Sequence, residues 1–592
     1  MKPTVVMDTE VFKDYFLVSF LNVDSGRIRH LEMYEGQALH VDVLSMIFKK
    51  YRIVTFNGIH FDLPILAKAM EPGATTQSIK DICDAIIVTG RKYWQLDLEI
   101  PECDHIDLIE VAPGRASLKA YGARMHAPTL QDLPIDPSDS ISPDDRALLR
   151  EYCENDLRTT AQLFERLSPQ IELREQMSAQ YGVDLRSKSD AQIAEAVIRH
   201  EVARLSGGQV KREAPDHLAG TEFAYTPPGF ICFDTEPLQQ ALQTIRSAAF
   251  RVNDAGAVEM PEAIANLRIA IGASTYRLGI GGLHSTEESV AHKAGPDHLL
   301  IDRDVASYYP SIILQCGLRP ENMGEHFTTV YRSIVERRLE AKRAGNKVEA
   351  DSLKIVINGS FGKFGSPYSV LYSPSLLIQT TVTGQLALLM LIEMLEQDGI
   401  SVVSANTDGI VIRCPTKLKH KMLDLVATWE CITGFDTEAT EYAALFSRDV
   451  NSYLALKPDG STKVKGTYAS AGLAKNPVTE IVVDAVLAYL RTGTPVEDTI
   501  SACQDITRFA VVRNVKGGAL DQQGKYLGRV ARWYYATGGR GPLTYKLNGY
   551  TVARSDGAQA LMTLPDEFPR DVDFNWYARE SFSVLKQIGA IQ

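Results

Sequence analysis

The sequence predicts a multidomain protein that mixes α/β and α+β parts. Three observations predict it. The 592 residues correspond to about four domains at roughly 150 residues each. Hydrophobic residues make up 45% and charged residues 23%, the balance of an ordinary globular chain that buries several cores without staples. Short β-prone runs alternate with helical periodicity along the chain, and in two separate places acids gather at the ends of those runs.

The same composition excludes disorder, collagen-like repeats and mucin-like stalks. Eight cysteines lie scattered, none as C-x-x-C, which excludes a disulfide scaffold and zinc-finger spacing and fits a reducing cytoplasm. The start, MKPTVVMDTE, has no charged segment followed by a long apolar one, so no signal peptide is expected. Leu386 to Leu395 reads as too short to cross a bilayer and is followed by Glu396 and Asp398. The expectation is a soluble, cytoplasmic protein with no membrane partner.

Taken in order, Thr4 to Met7, Phe16 to Val23 and Arg52 to Phe56 read as strands, with Asp8 and Glu10 ending the first. Pro134, Pro137 and Pro143 mark a loop before helical periodicity over Asp145 to Leu167. Ser189-Asp190 caps a helix through Arg204, and Pro227-Pro228-Gly229 breaks the chain. Leu299 opens an apolar strand that again runs into acids. Thr329 to Ile357 reads as helical around a turn at Gly345-Asn346. Ile400 to Ile412 reads as a hairpin about Asn406-Thr407-Asp408-Gly409.

Net charge is −12, which taken alone argues against a nucleic-acid partner. Its distribution argues otherwise. Residues 1–168 carry 18 basic against 26 acidic residues, whereas residues 508–546 carry eight basic residues and the one acid Asp521. The first region holds Asp8, Glu10, Asp62 and, on a helix, Tyr152 with Asp156 one turn on. Four carboxylates with no basic partner in sequence repel one another unless they hold divalent cations, and two hard cations suit phosphodiester hydrolysis. Taken singly, each acid also reads as a solvated strand or helix end.

D-x-E, N-x-x-x-F-D and Y-x-x-x-D occur in order, and over residues 1–168 this resembles the DEDDy class of 3′→5′ proofreading exonucleases. The resemblance implies that Asp8, Glu10, Asp62 and Asp156 bind metal, that Tyr152 orients the attacking water, and that Asn57 and Phe61 hold and stack the frayed strand end. His60 is read as incidental.

The second cluster is Asp304-Val305-Ala306-Ser307-Tyr308-Tyr309-Pro310-Ser311, then Lys354, Asn358 and Phe361 on one helical face, then Asp408 in the hairpin. Two carboxylates and a helix carrying a cation describe a triphosphate site with two metals. These residues resemble motifs A, B and C of family B DNA polymerases. Together with the exonuclease motifs, the likeness covers nearly the whole chain.

That resemblance implies that Asp304, Asp408 and the Val305 carbonyl hold the metals. It places Ser307, Tyr308, Tyr309, Arg338, Lys342, Lys354, Asn358 and Phe361 around the nucleotide. Tyr309 excludes a 2′-hydroxyl, and Arg338 with Lys342 grips the β- and γ-phosphates, Arg337 being a rival for that grip. A solvated basic helix face is the alternative for Arg338 and Lys342. Gly281 and Gly282 resemble the segment that passes template between the sites, and Lys463 and Lys465 the segment that holds the primer. Arg529, Arg532 and Arg540 suit a duplex grip.

The sequence departs from the family pattern at Asn406, where an acid is usual, at Phe361 for Tyr and at Gly409 for Ser. Ile280 also stands where the template segment usually has Tyr. Asp302 shares a strand face with Asp304 and reads as an extra negative charge or a solvated acid.

By resemblance, the fold is an RNase H-like exonuclease domain followed by a right-hand polymerase, with an antiparallel palm, helical fingers and a mixed thumb. The boundaries are 1–168 exonuclease, 169–270 connection, 271–328 first palm part, 329–365 fingers, 366–450 second palm part, and 451–592 palm end and thumb. The position of Asp8 implies that the N-terminal domain of larger relatives is absent. The intervals Asp304 to Lys354 and Asn358 to Asp408 leave little room for the insertions of protein-primed relatives, which implies an ordinary primer-dependent enzyme of compact bacteriophage type. Mg²⁺, two per site and replaceable by Mn²⁺, is the implied cofactor. Primer–template DNA, dNTPs and a clamp or other accessory protein are the implied partners of a monomer in a bacterial host's cytoplasm. Two alternatives stay open: an exonuclease whose polymerase site is impaired, suggested by Asn406, and a non-catalytic nucleic-acid-binding protein.

Overall fold

The β-prone start becomes the strand Thr4–Val11, whose Val5, Val6 and Met7 are at most 4% exposed. The structure, a computed structural model, describes residues 2–212 and 218–591; residues 213–217, within the connecting region 169–270, lie outside the described residues. The chain divides into two compact units that do not follow chain order. One comprises Met1–Ser189, Ser470–Asp484 and Glu497–Ala578. The other comprises Asp190–Ala469, Ala485–Val496 and Arg579–Gln592.

In the first unit, Thr4–Val11 is the middle strand of a five-stranded sheet. Phe16–Asn22 and then Ile28–Met33 pair antiparallel on one side. Arg52–Thr55 and Asp104–Asp107 pair parallel on the other, the helix Val41–Lys50 supplying the crossover that a parallel pair requires. The helix Pro143–Arg166 starts where chemistry dictates. Ser142 and Asp145 cap each other reciprocally and Pro143 occupies the first turn. A second sheet is built on the hairpin of Val511–Leu520 and Tyr526–Tyr535, flanked by Thr544–Tyr545 and Ala558–Ala560.

The second unit carries a seven-stranded antiparallel sheet. His298–Val305 lies between Gly409–Pro415 and Thr437–Tyr442, and Gly409–Pro415 returns from Ser401–Asn406 through a tight turn. A four-stranded sheet runs Glu288–Lys293, Ala444–Asp449, Ser452–Leu456 and Thr462–Val464. The helices Gly324–Arg343 and Lys347–Phe364 are separated at Ala344 to Asn346, and the Asn346 side chain caps the second.

The apolar helix is longer than the sequence suggested. It runs Pro374–Gln397, 24 residues, and is long and apolar enough to cross a membrane; 83% of its most apolar stretch is buried within the protein. Leu386, Leu388, Leu389 and Ile392 are wholly buried in the core of the second unit, and Ala387 accepts a 2.7 Å bond from the Trp429 indole. Thr380, Thr381 and Thr383, which interrupt the apolar run in sequence, are buried too. Thr380 and Thr381 direct their hydroxyls to carbonyls one turn back in the helix, and the Thr383 hydroxyl pairs with that of Tyr225.

Candidate active sites

Strand alternation puts Asp8 and Glu10 on the same side of Thr4–Val11. Thr9, between them, donates a 2.6 Å hydrogen bond to Asp62. Asp62 opens the helix Asp62–Ala69 and is 3% exposed. The loop before it is held by Asp107, itself fully buried, whose carboxylate accepts from the backbone N–H groups of Asn57, Ile59 and Ile109. Asn57 takes a left-handed conformation there, φ 69°. Phe61 is half-buried against the core of the unit. Tyr152, Cys153 and Asp156 present the buried face of Pro143–Arg166.

The four acids of the first motif set are thus brought together. Burial, with the charges of Asp62 and Asp156 adding, pushes Asp8 well up from the ordinary carboxylate range. Glu10 is pushed well up by burial and then by Asp8 and Asp156. Burial raises Asp62 to about 7 against the Thr9 bond, and raises Asp156 against the Lys119 charge. A ligand oxygen of Asp8, one of Glu10 and the Cys153 sulfur lie within 4.8 Å of one another. At that spacing two carboxylates repel by about 3 kcal/mol at an effective dielectric near 20.

One correction follows: the acids do have a basic neighbour. The Lys119 ammonium donates to the Tyr152 hydroxyl at 2.5 Å and to Asp132 at 3.2 Å, and lies 4.6 Å from the Tyr152 ring centre. A single lysine does not offset four carboxylates, so the donor set fits hard divalent cations. Lys119 stands at the start of the short helix Leu118–Arg124. Its distance in sequence from Tyr152 left no pattern by which it could be found, and Cys153 was likewise missed.

In the second unit, Asp304 pairs in register with Gly409 on one side and Glu438 on the other, and the Val305 N–H donates to the Asp408 carbonyl at 2.7 Å. Asp304 and Asp408 line one open cleft of about 390 Å³ with Asp302, Asn406, Lys463 and Lys465. Partial burial, then the Asp302 charge, raises Asp304. Gly409 is explained by contact, since a Cβ there would fall 2.2 Å from Asp304 Oδ1. Asn406 is explained by its donor: the amide gives a 2.9 Å bond to the Val450 carbonyl, which a carboxylate could not make. Asp302 is not solvated. It is 5% exposed, accepts from the Tyr442 hydroxyl, and pairs with Lys463 at 2.8 Å; the same ammonium lies 3.5 Å from Asp304.

Three motifs distant in sequence converge on Tyr309. Its ring stacks on Phe361 at 4.3 Å and its hydroxyl donates to the Gly281 carbonyl. Gly282 follows, and the next residue, Leu283, accepts from the Thr407 N–H of the hairpin turn. Lys354 and Asn358 lie on the exposed side of the Phe361 helix. Arg338 donates to Ser307 at 2.9 Å, whereas its rival Arg337 pairs with Glu349. Lys342 is exposed and reaches Glu438 at 3.5 Å.

Two residues leave the expected set. Tyr308 is 4% exposed and bonds the Gly384 carbonyl inside the core rather than facing the cleft. Arg532 is fully buried and donates to the carbonyls of Leu561 and Ala127, so it cannot touch DNA. The basic segment 508–546 is also partly spent on acids elsewhere in its unit: Arg508 pairs with Glu480 and Asp484, and Arg540 with Asp571. Arg529 stays exposed.

No family model matches the chain. Parts of it are similar to archaeal proteins named DNA polymerase 1. The likeness to that of Sulfurisphaera ohwakuensis is 26% identity over 132 residues, 22% of this chain and 15% of the relative. That to Sulfolobus acidocaldarius is 25% over 130 residues, 22% of this chain and 15% of the relative. That to Aeropyrum pernix is 28% over 185 residues, 30% of this chain and 19% of the relative. The chain therefore matches only 15% to 19% of the length of these relatives.

Proposed function

We propose that the chain is a DNA-directed DNA polymerase of family B type, with an intrinsic 3′→5′ proofreading exonuclease and the compact form of a bacteriophage replicative enzyme. The observation that carries the reading is that Asp304 and Asp408 line one cleft while Tyr309, close enough to Asp408 to feel its charge, stacks on Phe361 and bonds the Gly281 carbonyl. Four stretches far apart in sequence are brought together in this way, as templated nucleotidyl transfer requires of its metal, sugar, base and template contacts. The archaeal likenesses favour the same class.

In this reading Asp304, Asp408 and the Val305 carbonyl hold one pair of divalent cations, and Asp8, Glu10, Asp62 and Asp156 another. Mg²⁺, or Mn²⁺ in its place, supplies charge neutralisation for phosphoryl transfer at the first site and an activated water at the second. The protein's own groups do the rest. Lys354 meets the incoming triphosphate with Arg338 and Lys342. Tyr309, braced by Phe361 and Gly281, closes the space beside the sugar carbon that bears a 2′-hydroxyl in ribonucleotides. Asn358 and Phe361 line the nascent pair, and Gly281, Gly282, Lys463 and Lys465 meet the strands. Tyr152, held by Lys119, orients the hydrolytic water, and Asn57 with Phe61 holds the strand end.

The strand order and mixed pairing of the five-stranded sheet support an RNase H-like exonuclease over residues 1–168. The seven-stranded antiparallel sheet supports a palm over 271–328 and 366–450, and the helices of 329–365 support fingers. Residues 169–270 connect exonuclease and palm, and 451–592 complete the palm and form a thumb, with the exposed Arg529 toward the duplex. The partners are primer–template DNA, dNTPs and a clamp or similar accessory protein, and the setting is a monomer in a bacterial host's cytoplasm.

Extension of a labelled primer on a template, with Mg²⁺ and dNTPs, tests the polymerase reading. Templated extension that vanishes in Asp408→Ala is expected. No extension with either metal, beside vigorous 3′→5′ degradation, would sink it.

A further inference from the structure

The hairpin Val511–Leu520/Tyr526–Tyr535 reaches the polar groups of the exonuclease site through the Asp132 carboxylate. Asp132 accepts from the Tyr526 hydroxyl at 2.8 Å and from the Arg529 N–H at 3.3 Å through one oxygen, and from Lys119 at 3.2 Å through the other. Lys119 in turn donates to Tyr152. The backbone is shaped for this contact. Gly528 takes φ +93°, and a Cβ on it would press 3.2 Å from the Asp132 Cβ. Behind the contact, Ala120 and Ala123 of the Lys119 helix pack with Val512 and Val530 of the hairpin in one small core.

We propose that Asp132 and Tyr526 are positioning residues of the exonuclease site, through which the C-terminal hairpin sets Lys119 and, through it, the Tyr152 hydroxyl. The inference rests on the exonuclease reading. Without Asp132 the Lys119 ammonium keeps only Tyr152 as a partner against the pull of the four acids, and a shift toward them would draw it off the Tyr152 hydroxyl. Without the Tyr526 hydroxyl, Asp132 keeps only one backbone donor from the hairpin and is free to turn. Tyr526 is 37% exposed, with the Lys546 ammonium 4.6 Å from its ring centre. A nucleic-acid strand lying on this basic, aromatic edge would therefore press on the residue that starts the relay.

The test compares Asp132→Asn and Tyr526→Phe with the unmodified protein in 3′→5′ degradation of a labelled single strand. In parallel, the ring-carbon NMR signal of Tyr152 is read in protein labelled at tyrosine Cζ and assigned by Tyr152→Phe. We expect kcat to fall about tenfold in Asp132→Asn and about threefold in Tyr526→Phe, the scale of one lost hydrogen bond, with KM unchanged and the Tyr152 signal displaced in both. An unmoved signal, or a change in KM alone, would overturn the proposal. Degradation equally fast in all three proteins overturns the coupling alone, whereas an unmodified protein that degrades no strand overturns the exonuclease reading and the coupling with it.

Discussion

Single residues decide how each site holds its charge. Asp62 stands near 7 in the folded protein and near 3.9 in an unfolded chain, so between those values the folded state binds the extra proton. Its contribution to stability is full below about pH 3.9 and is lost as pH rises through about 7, and Asp8, Glu10 and Asp156 shift in the same direction. With a chelator present, the melting temperature should fall from about pH 5 to about pH 8, and the gain from added Mg²⁺ should grow over the same interval. A metal effect independent of pH would contradict this. In the cleft, Gly409→Ser should lower stability modestly, because its Cβ displaces the Asp304 carboxylate and also falls 3.1 Å from the Arg303 carbonyl oxygen. Moving that carboxylate should cut primer extension by about tenfold or more. Asn406→Asp should do the reverse of restoring a missing acid. It sets a carboxylate against the Val450 carbonyl and should lower stability by about 1–3 kcal/mol, read from denaturant midpoints.

At the scale of elements, what was legible followed from local rules. Acids ending Thr4–Val11 and His298–Val305 and the turn at Asn406 to Gly409 are written in adjacent residues, whereas the helix expected from Asp145 starts two residues earlier, at Pro143, because Ser142 and Asp145 cap each other. Replacing Ser142 by Ala should cost about 1 kcal/mol, measurable as a shift of the melting transition. What was not legible depends on partners far along the chain. Lys119 reaches Tyr152, Lys463 reaches Asp302, and Arg532 is buried between carbonyls of Ala127 and Leu561. A local motif assigns Lys463 to the primer strand and local charge assigns Arg532 to the duplex, and no pattern in the sequence marks Lys119. Tyr308 and Tyr309 are adjacent and chemically identical, and only the helix geometry sends one into the core and the other to Phe361.

At the scale of the whole molecule, two carboxylate centres sit in two compact units, and the chain passes between those units more than once. Residues 470–484 and 497–578 join the unit that holds Asp8, where Glu480, Asp484 and Asp571 pair with basic side chains of the 508–546 segment. The contrast between an acidic front and a basic back is therefore weaker in the folded protein than in the sequence. The proposed function requires the two centres to perform separate reactions on the same substrate. Its most direct measurement follows primer extension and single-strand degradation side by side in Asp8→Ala/Asp62→Ala and in Asp408→Ala. The account predicts that the first protein extends but does not degrade, and that the second degrades but does not extend. Loss of both reactions in either folded variant, or of neither, would contradict it.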